Sequence, residues 1–101
     1  MNIEFKGRLC RVVFSKYESE RPEIRLLACD DGSDIAQASV DLPRVGCPEG
    51  HTFIKDWSEN KGMLRALINA GIVEDTTIRV ATGFVEAALV SVLAPHEAAK
   101  E

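Results

Sequence analysis

The segment 55–71 constrains the fold most, because it contains a helix start, an amphipathic helix and a helix stop. Either Asp56 or Ser58 can cap the start, since a short side-chain oxygen accepts amide hydrogens that the first turn leaves unpaired. Glu59 lies in the first turn with either cap, where a negative charge favours the helix dipole. The segment predicts one α-helix over residues 58–70.

The apolar pattern within this segment agrees with a helix. Four apolar residues form one stripe at helical spacing, and three polar residues recur every four positions on the opposite face. These are Met63, Leu64, Leu67 and Ile68, against Lys61, Arg65 and Asn69. Gly71 fits the left-handed position just past the helix end, and Ile72 would then touch Leu67, as in a Schellman ending.

The first half of the chain reads as β-strands. Residues 8–17 are rich in β-branched and aromatic side chains, and residues 24–28 alternate between apolar and other side chains. The Asp-Asp-Gly-Ser sequence at 30–33 is a strong turn signal. Residues 36–42 then alternate cleanly between apolar and polar, so we expect a hairpin around this turn.

The second half places one helix among further strands. In order, the pattern predicts a loop over 43–50, a short strand over 52–55, a turn over Glu74–Asp75 and strands over 77–81 and 84–93. Gly83 breaks the chain before the last strand, which is apolar on both faces and therefore predicted to be central in its sheet.

Hairpin connections with one inserted helix predict an α+β fold. We expect a curved, mainly antiparallel sheet of about five to six strands with one principal helix packed on it. Residues 1–101 are predicted to form a single small globular domain, in which 95–101 are a frayed tail.

Composition narrows the class of protein. Hydrophobic residues make up 46% and charged residues 28%, a globular balance, and no apolar run reaches the roughly 18 residues that span a bilayer. The N-terminus lacks a secretory pattern, so we expect a cytoplasmic protein that does not enter membranes. Cys10, Cys29 and Cys47 are widely spaced without a CxxC pair, which indicates reduced structural thiols.

Charge argues against a nucleic-acid partner, although it leaves one alternative open. The net charge of -4 does not suit a general phosphate-binding surface. Positive charge is nevertheless concentrated near the N-terminus, in Arg8, Arg11, Lys16, Arg21 and Arg25. Strand alternation would scatter these side chains over both faces and into loops, so nucleic-acid binding through them is our second alternative.

Chemistry-bearing residues do not form a recognised catalytic motif. None of the serines lies in a GxSxG elbow, and Cys47 with His51 provides two ligands rather than a metal site. We therefore predict a non-enzymatic protein without a cofactor or bound metal. The first alternative is a small-ligand or enzymatic domain that uses the 43–60 region, in which Cys47, His51, Asp56 or Glu59 would converge.

Trp57 is the only tryptophan and stands at the predicted helix entrance. It can be a core plug at the sheet edge or a partly exposed anchor, because tryptophan is enriched among binding hot spots. In the second case its polar neighbours would form a rim. The predicted protein-binding residues are Asp56, Trp57, Ser58, Glu59 and Asn60.

Several segments carry a family resemblance. They are Ile-Arg-Leu-Leu-Ala at 24–28, Ala-Ser-Val-Asp-Leu-Pro at 38–43, Ile-Lys-Asp-Trp-Ser-Glu-Asn-Lys-Gly at 54–62 and Ala-Gly-Ile at 70–72. Together they resemble a family of small proteins of bacteriophages, plasmids and integrative elements, catalogued as a domain of unknown function. The similarity spans most of residues 3–93, and its distinctive part is the Lys-Asp-x-Ser-Glu-Asn-x-Gly segment. Asp75-Thr76-Thr77 departs from the Gly-containing turn of many relatives.

The resemblance implies a mobile-element setting in a bacterial host cell and assigns no catalytic residue. Small acidic proteins in that setting often bind and block host machinery, CRISPR effectors among them. Our leading hypothesis is a steric inhibitor, anti-CRISPR-like, that docks on a host protein or complex. An open sheet edge could also pair with a second copy to form a homodimer.

Overall fold

The structure is a computed structural model that describes residues 1–93. Along these residues the chain forms eight β-strands, a 3₁₀ turn and one α-helix. The strands are β1 (Asn2–Phe5), β2 (Arg8–Lys16), β3 (Pro22–Ala28), β4 (Asp34–Gln37), β5 (Ser39–Val40), β6 (His51–Ile54), β7 (Val73–Thr82) and β8 (Val85–Val92). The 3₁₀ turn is Ser58–Asn60 and the helix, α1, is Met63–Asn69. The predicted frayed tail, 95–101, lies outside the described residues.

The α+β class is confirmed, whereas the single curved sheet of about five to six strands is wrong. The described chain forms two antiparallel four-stranded sheets, in the orders β1-β2-β3-β4 and β5-β6-β8-β7. The division occurs at Ala38, inside the run 36–42 that was predicted as one strand. Its amide donates to Ile24 O and its carbonyl accepts from Lys55 N, both at 2.9 Å. The chain thus leaves β3 for β6 at this residue, and strands that switch sheets form corners of this kind.

The hairpin predicted around residues 30–33 is confirmed. β3 and β4 pair across this turn, in which Gly32 has a φ of +74°. Asp31 Oδ1 accepts from Ser33 N at 2.9 Å, and this bond chiefly lowers the pKa of Asp31. The short polar side chain therefore replaces a backbone partner in the turn.

The predicted turn at Glu74–Asp75 is wrong, because both residues lie inside β7. The register of β7 with β8 is irregular between Asp75 and Arg79, and Thr77 has a φ of +69°. Asp75 Oδ1 accepts from Thr77 N at 2.8 Å. The turn-forming residues therefore produce an irregularity within a strand rather than ending it.

The central position predicted for the last strand is confirmed, since β8 lies between β6 and β7. Both faces of β8 are buried. Ala88, Val90 and Val92 enter the main core, and Ala87 and Leu89 enter a second cluster on the other face.

The main core explains how one short helix suffices. It combines inward side chains of both sheets, including Ile24, Leu26, Ile54 and Val90, with Met63 and Leu67 of α1. The helix also contacts β1 and β7, each of which is a terminal strand of its sheet. The sheets cover each other, and α1 fills the gap beside their outer strands.

The C-terminal end of α1 agrees with the prediction from the sequence, whereas its N-terminal end does not. Gly71 has a φ of +73°, Gly71 N donates to Ile68 O, and Ile72 N donates to Leu67 O, both at 3.0 Å. This is the predicted Schellman ending. At the other end Gly62, with a φ of +96°, separates the 3₁₀ turn from α1, so one continuous helix over 58–70 is wrong. Within residues 1–93, none of the helical segments has the length and apolar character to cross a bilayer.

Candidate functional site

Asp56 caps α1 from outside the helix. Its Oδ1 accepts from Gly62 N at 3.1 Å and from Leu64 N at 3.0 Å. The residue at the N-cap position is Gly62 rather than Asp56 or Ser58. The carboxylate therefore has the predicted capping chemistry, but the intervening turn carries it there across six residues.

Asn60 is the most enclosed member of the predicted binding set, with 2% of its surface exposed. Its Nδ2 donates to Gln37 O at 2.7 Å and to Lys55 O at 3.1 Å. The side chain thus joins the β4–β5 corner to the end of β6. Its amide nitrogen is therefore used within the fold.

Trp57 combines features of both alternatives left open by the sequence. It is half-buried and packs against the second hydrophobic cluster. This cluster lies on the face of β6 and β8 that points away from the main core, and we name it the outer cluster. The buried members are Phe53, Ala87 and Leu89, and the partly buried members are Val40, Leu42, Val45, Cys47, Trp57 and Val80. The indole is thereby held in place while part of its surface stays accessible.

Ser58 and Glu59 are exposed beside Trp57. Lys55 Nζ lies 2.8 Å from Glu59 Oε1, and this contact chiefly lowers the pKa of the Glu59 carboxyl. Lys6 Nζ also donates to Glu59 O at 2.7 Å. Ser58 has a φ of +54°, an uncommon conformation for a residue with a side chain. The turn therefore displays a hydroxyl and a carboxylate next to the indole.

The β7–β8 hairpin ends in an exposed aromatic residue. Thr82 pairs with Val85, so Gly83 and Phe84 alone form the loop. Gly83 has a φ of +64°, as the first position of a type II′ turn requires. Phe84 is fully exposed, at 108% of its reference accessibility. The predicted last strand, 84–93, included Phe84, and that assignment is wrong because the strand begins at Val85.

The hairpin extends beyond its neighbouring strand. Within the described chain, β6 pairs with β8 over Ala88–Ser91, so residues 85–87 have β7 as their strand partner. Val80 belongs to the outer cluster and pairs with Ala87. Thr82 and Val85 are two residues further along and therefore share that face. A strip of one face thus runs from Trp57 past Val80 to the tip, and we name it, with Ser58 and Glu59, the Trp57–Phe84 face.

Two grooves border this part of the molecule. One, named the charged groove, has a volume of about 360 Å³ and is lined by β4 together with Arg25, Lys55, Glu59 and Asn60. The other has a volume of about 950 Å³ and is lined in part by Lys16, Arg21, Cys47 and His51. The four residues expected to converge in a ligand site are therefore divided: Cys47 and His51 line one groove, Glu59 lines the other, and Asp56 caps α1.

Cys47 contacts His51 through its thiol and the His51 backbone carbonyl rather than through the imidazole. Cys47 Sγ donates to His51 O at 3.3 Å, and burial raises the pKa of the thiol. A raised pKa reduces the fraction of nucleophilic thiolate. Among residues 1–93, histidine, cysteine and carboxylate side chains form no group of three or more that could hold a metal ion.

The five early cations do not share one surface. Arg11 and Arg25 lie on the outward side of their strands, opposite the core residues, whereas Arg21 donates to Leu42 O and Val45 O. Carboxylates also accompany three of them: Asp30 lies 3.6 Å from Arg8, Asp41 lies 3.9 Å from Arg21 and Asp34 lies 3.7 Å from Arg25. This arrangement is unlike the clustered positive charge that phosphate backbones require.

Comparison with known proteins adds no relative: family models, curated proteins and solved structures give no match to this chain.

The surface residue that was not predicted from the sequence is Phe84. The signal was present, because a glycine and one further residue between two β-branched runs form the pattern of a two-residue hairpin loop.

Proposed function

We propose that this protein is a binding module that docks on another protein through the Trp57–Phe84 face. The observation that carries the proposal is the full exposure of Phe84 at the tip of an extended hairpin. Type II′ loops need glycine at their first position, and small polar residues commonly follow it. Neither the turn nor the core uses the phenyl ring, so its value lies in contact with a partner.

The energetics of the aromatic pair support docking. Burying a phenylalanine side chain contributes about 1.5–3 kcal/mol, none of which Phe84 provides to the isolated chain. Trp57 is already held by the outer cluster, so little conformational entropy is lost when a partner covers it. Both residue types are enriched at protein interfaces.

The polar residues beside Trp57 suit the rim of such an interface. Ser58 and Glu59 are exposed, and Lys55 pairs with Glu59. Interfaces commonly surround an aromatic centre with hydrated polar groups. Asp56 and Asn60, which are also among the predicted binding residues, would support this surface indirectly by holding the turn in place.

For the partner we propose a host protein or complex in the bacterial cytoplasm, blocked by steric docking, as in anti-CRISPR proteins. Support for this partner class comes from the mobile-element resemblance of the 54–62 segment. The Trp57–Phe84 face supports docking in general and does not select among host proteins.

The test is affinity capture from host cells, followed by titration calorimetry with the captured partner. Phe84→Ser should weaken binding at least about tenfold, because it removes an apolar anchor. Leu9→Ser is the matched control, since Leu9 is also exposed (56%) but lies on β2 of the other sheet. Circular dichroism verifies that each variant is folded. Unchanged affinity of folded Phe84→Ser and Trp57→Ala proteins for the same partner would refute this docking face.

Pairing with a second copy is a further proposed mode of association. β1 and β7 are each one of the two terminal strands of their sheets, and α1 lies beside both. The irregular stretch of β7 leaves β1 as the more regular of these two edges for sheet extension. Size-exclusion chromatography with light scattering tests this mode, and a monomer at every concentration would eliminate it.

A further inference from the structure

The guanidinium of Arg25 is incompletely paired, and it lines the charged groove. Its Nε is buried and has no hydrogen-bond partner within residues 1–93. Its nearest carboxylate, Asp34 Oδ1, lies 3.7 Å from Nη1, beyond the usual range of a hydrogen bond. A buried donor without an acceptor is unfavourable, and an acceptor from a ligand would have to reach the guanidinium through the exposed part of the side chain.

Two other arginines show what a satisfied guanidinium looks like in this protein. Arg79 donates to both oxygens of Asp75, at 2.9 and 2.8 Å. Arg21 donates to Leu42 O and Val45 O. Arg25 lacks such partners in the described chain, although 38% of its side chain is exposed for a ligand to reach.

The groove also has the surroundings for an acidic segment. Lys55 is the second cation of the lining and is already paired with Glu59 at 2.8 Å, so of these two cations Arg25 is the one without a carboxylate of residues 1–93 in hydrogen-bond range. Asp34 is 81% exposed in its side chain and can turn away from Arg25 into solvent. Ile35 and Ala36 of β4 supply an apolar lining beside these charges.

We infer that the charged groove binds an extended, carboxylate-bearing segment of a partner protein, with the carboxylate paired to the fork of Arg25. Arginine pairs with carboxylates through two parallel hydrogen bonds, a geometry that the long contact with Asp34 does not achieve. This inference deepens the proposed function, because the groove adjoins Glu59 of the Trp57–Phe84 face. It specifies that the docking segment beside that face is acidic.

The probe is a capped five-residue peptide of alternating threonine and valine with glutamate at its centre. A second peptide has glutamine in place of the glutamate. Each is titrated to millimolar concentration into the full-length, ¹⁵N-labelled protein, and nuclear magnetic resonance follows the backbone amides and the Arg25 Nε–H signal. The glutamate peptide should shift the amides of Ile35 to Gln37 and the Nε–H signal, and the glutamine peptide should bind at least about fivefold more weakly.

One substitution expected to weaken peptide binding and one expected to strengthen it distinguish a role in binding from a role in folding. Arg25→Gln should weaken binding of the glutamate peptide about tenfold, whereas Asp34→Asn should strengthen it about twofold by removing a competing carboxylate. Arg11→Gln is the control, because Arg11 lies on the same outward side of the sheet. The unsubstituted protein reports through its Nε–H signal even if the Arg25 variant does not fold.

Equal binding of the two peptides, or no response of β4 at millimolar concentration, would overturn the inference. An unchanged affinity in a folded Arg25→Gln protein would do the same. Phe84→Ser should leave the peptide affinity unchanged, since Phe84 does not line the groove. Failure of the groove and failure of the Trp57–Phe84 face are thus distinguished in separate measurements.

Discussion

The two ends of α1 are held by different physical means. At the C-terminal end, Gly71 N donates to Ile68 O and Ile72 N donates to Leu67 O, so backbone groups close the helix. At its beginning, the side chains of Asp56 and Asn60 reach across the 3₁₀ turn to backbone groups of α1, β4 and the end of β6. An end closed by its own backbone displays little for recognition. A beginning held by side chains can display Trp57, Ser58 and Glu59 on a stable turn.

The largest effect is expected from Asn60→Ala. This change removes the donor for two backbone carbonyls, and we expect a loss of about 2 kcal/mol in the free energy of unfolding. Asn69→Ala is the matched control, because Asn69 is exposed at the last position of α1. Urea denaturation measures both. Equal stability of the two variants would mean that the Asn60 bonds do not hold the helix entrance.

The next largest effect is expected at the C-terminal end of α1. Gly71→Ala should lower the free energy of unfolding by about 1–2 kcal/mol, because a side chain disfavours the left-handed conformation. A Cβ at Gly71 would meet no atom within 4 Å, so the loss is conformational rather than steric. Gly46→Ala is the control, since Gly46 has neither a positive φ nor a close neighbour. A stable Gly71→Ala protein would show that the backbone closure is dispensable.

A smaller effect is expected from removal of the remote cap. Asp56→Ala should cost about 1 kcal/mol, the usual contribution of a capping side chain, and should change the fluorescence of neighbouring Trp57. Asp30→Ala changes an exposed carboxylate in the β3–β4 turn and should alter stability by less than about 0.5 kcal/mol. If Asp56→Ala left both stability and fluorescence unchanged, the cap would not stabilise the turn.

The smallest effect concerns pH. Because the pKa of Glu59 is lowered in the folded protein, its contribution is complete above the ordinary value of 4.5 and is lost as the pH falls through the lowered value. Acidification should therefore loosen the Lys55–Glu59 contact and change Trp57 fluorescence before the fold is lost. In Glu59→Gln this step should be reduced. The two proteins differ only at residue 59, so the difference between their acid responses isolates Glu59.

The sequence predicted features that depend on neighbouring residues. The β3–β4 turn, the alternating burial of β2 and β3 and the Schellman ending of α1 follow from local backbone preferences. The central position of β8 could also be predicted from the sequence, because side chains on both of its faces are apolar. These features need little information from distant parts of the chain.

The candidate site was predictable only in part. Residues 56–60 were found from the composition of one segment, but their different roles came from contacts with β4, β6 and the outer cluster. Phe84 was misassigned because an apolar residue beside an apolar strand has the same local pattern whether it is buried or at the tip. Its exposure depends on where β8 begins.

By itself, the sequence determined an α+β chain with a defined helix end, one hairpin turn and a doubly buried last strand, since each depends on local conformation and side-chain polarity. The tertiary structure decided that the run around Ala38 divides between two sheets and that the helix starts after a 3₁₀ turn. It also decided that Asn60 is buried and that Phe84 is exposed. Those outcomes depend on which distant groups satisfy a carbonyl or cover a side chain, and no spacing within a segment contains that information.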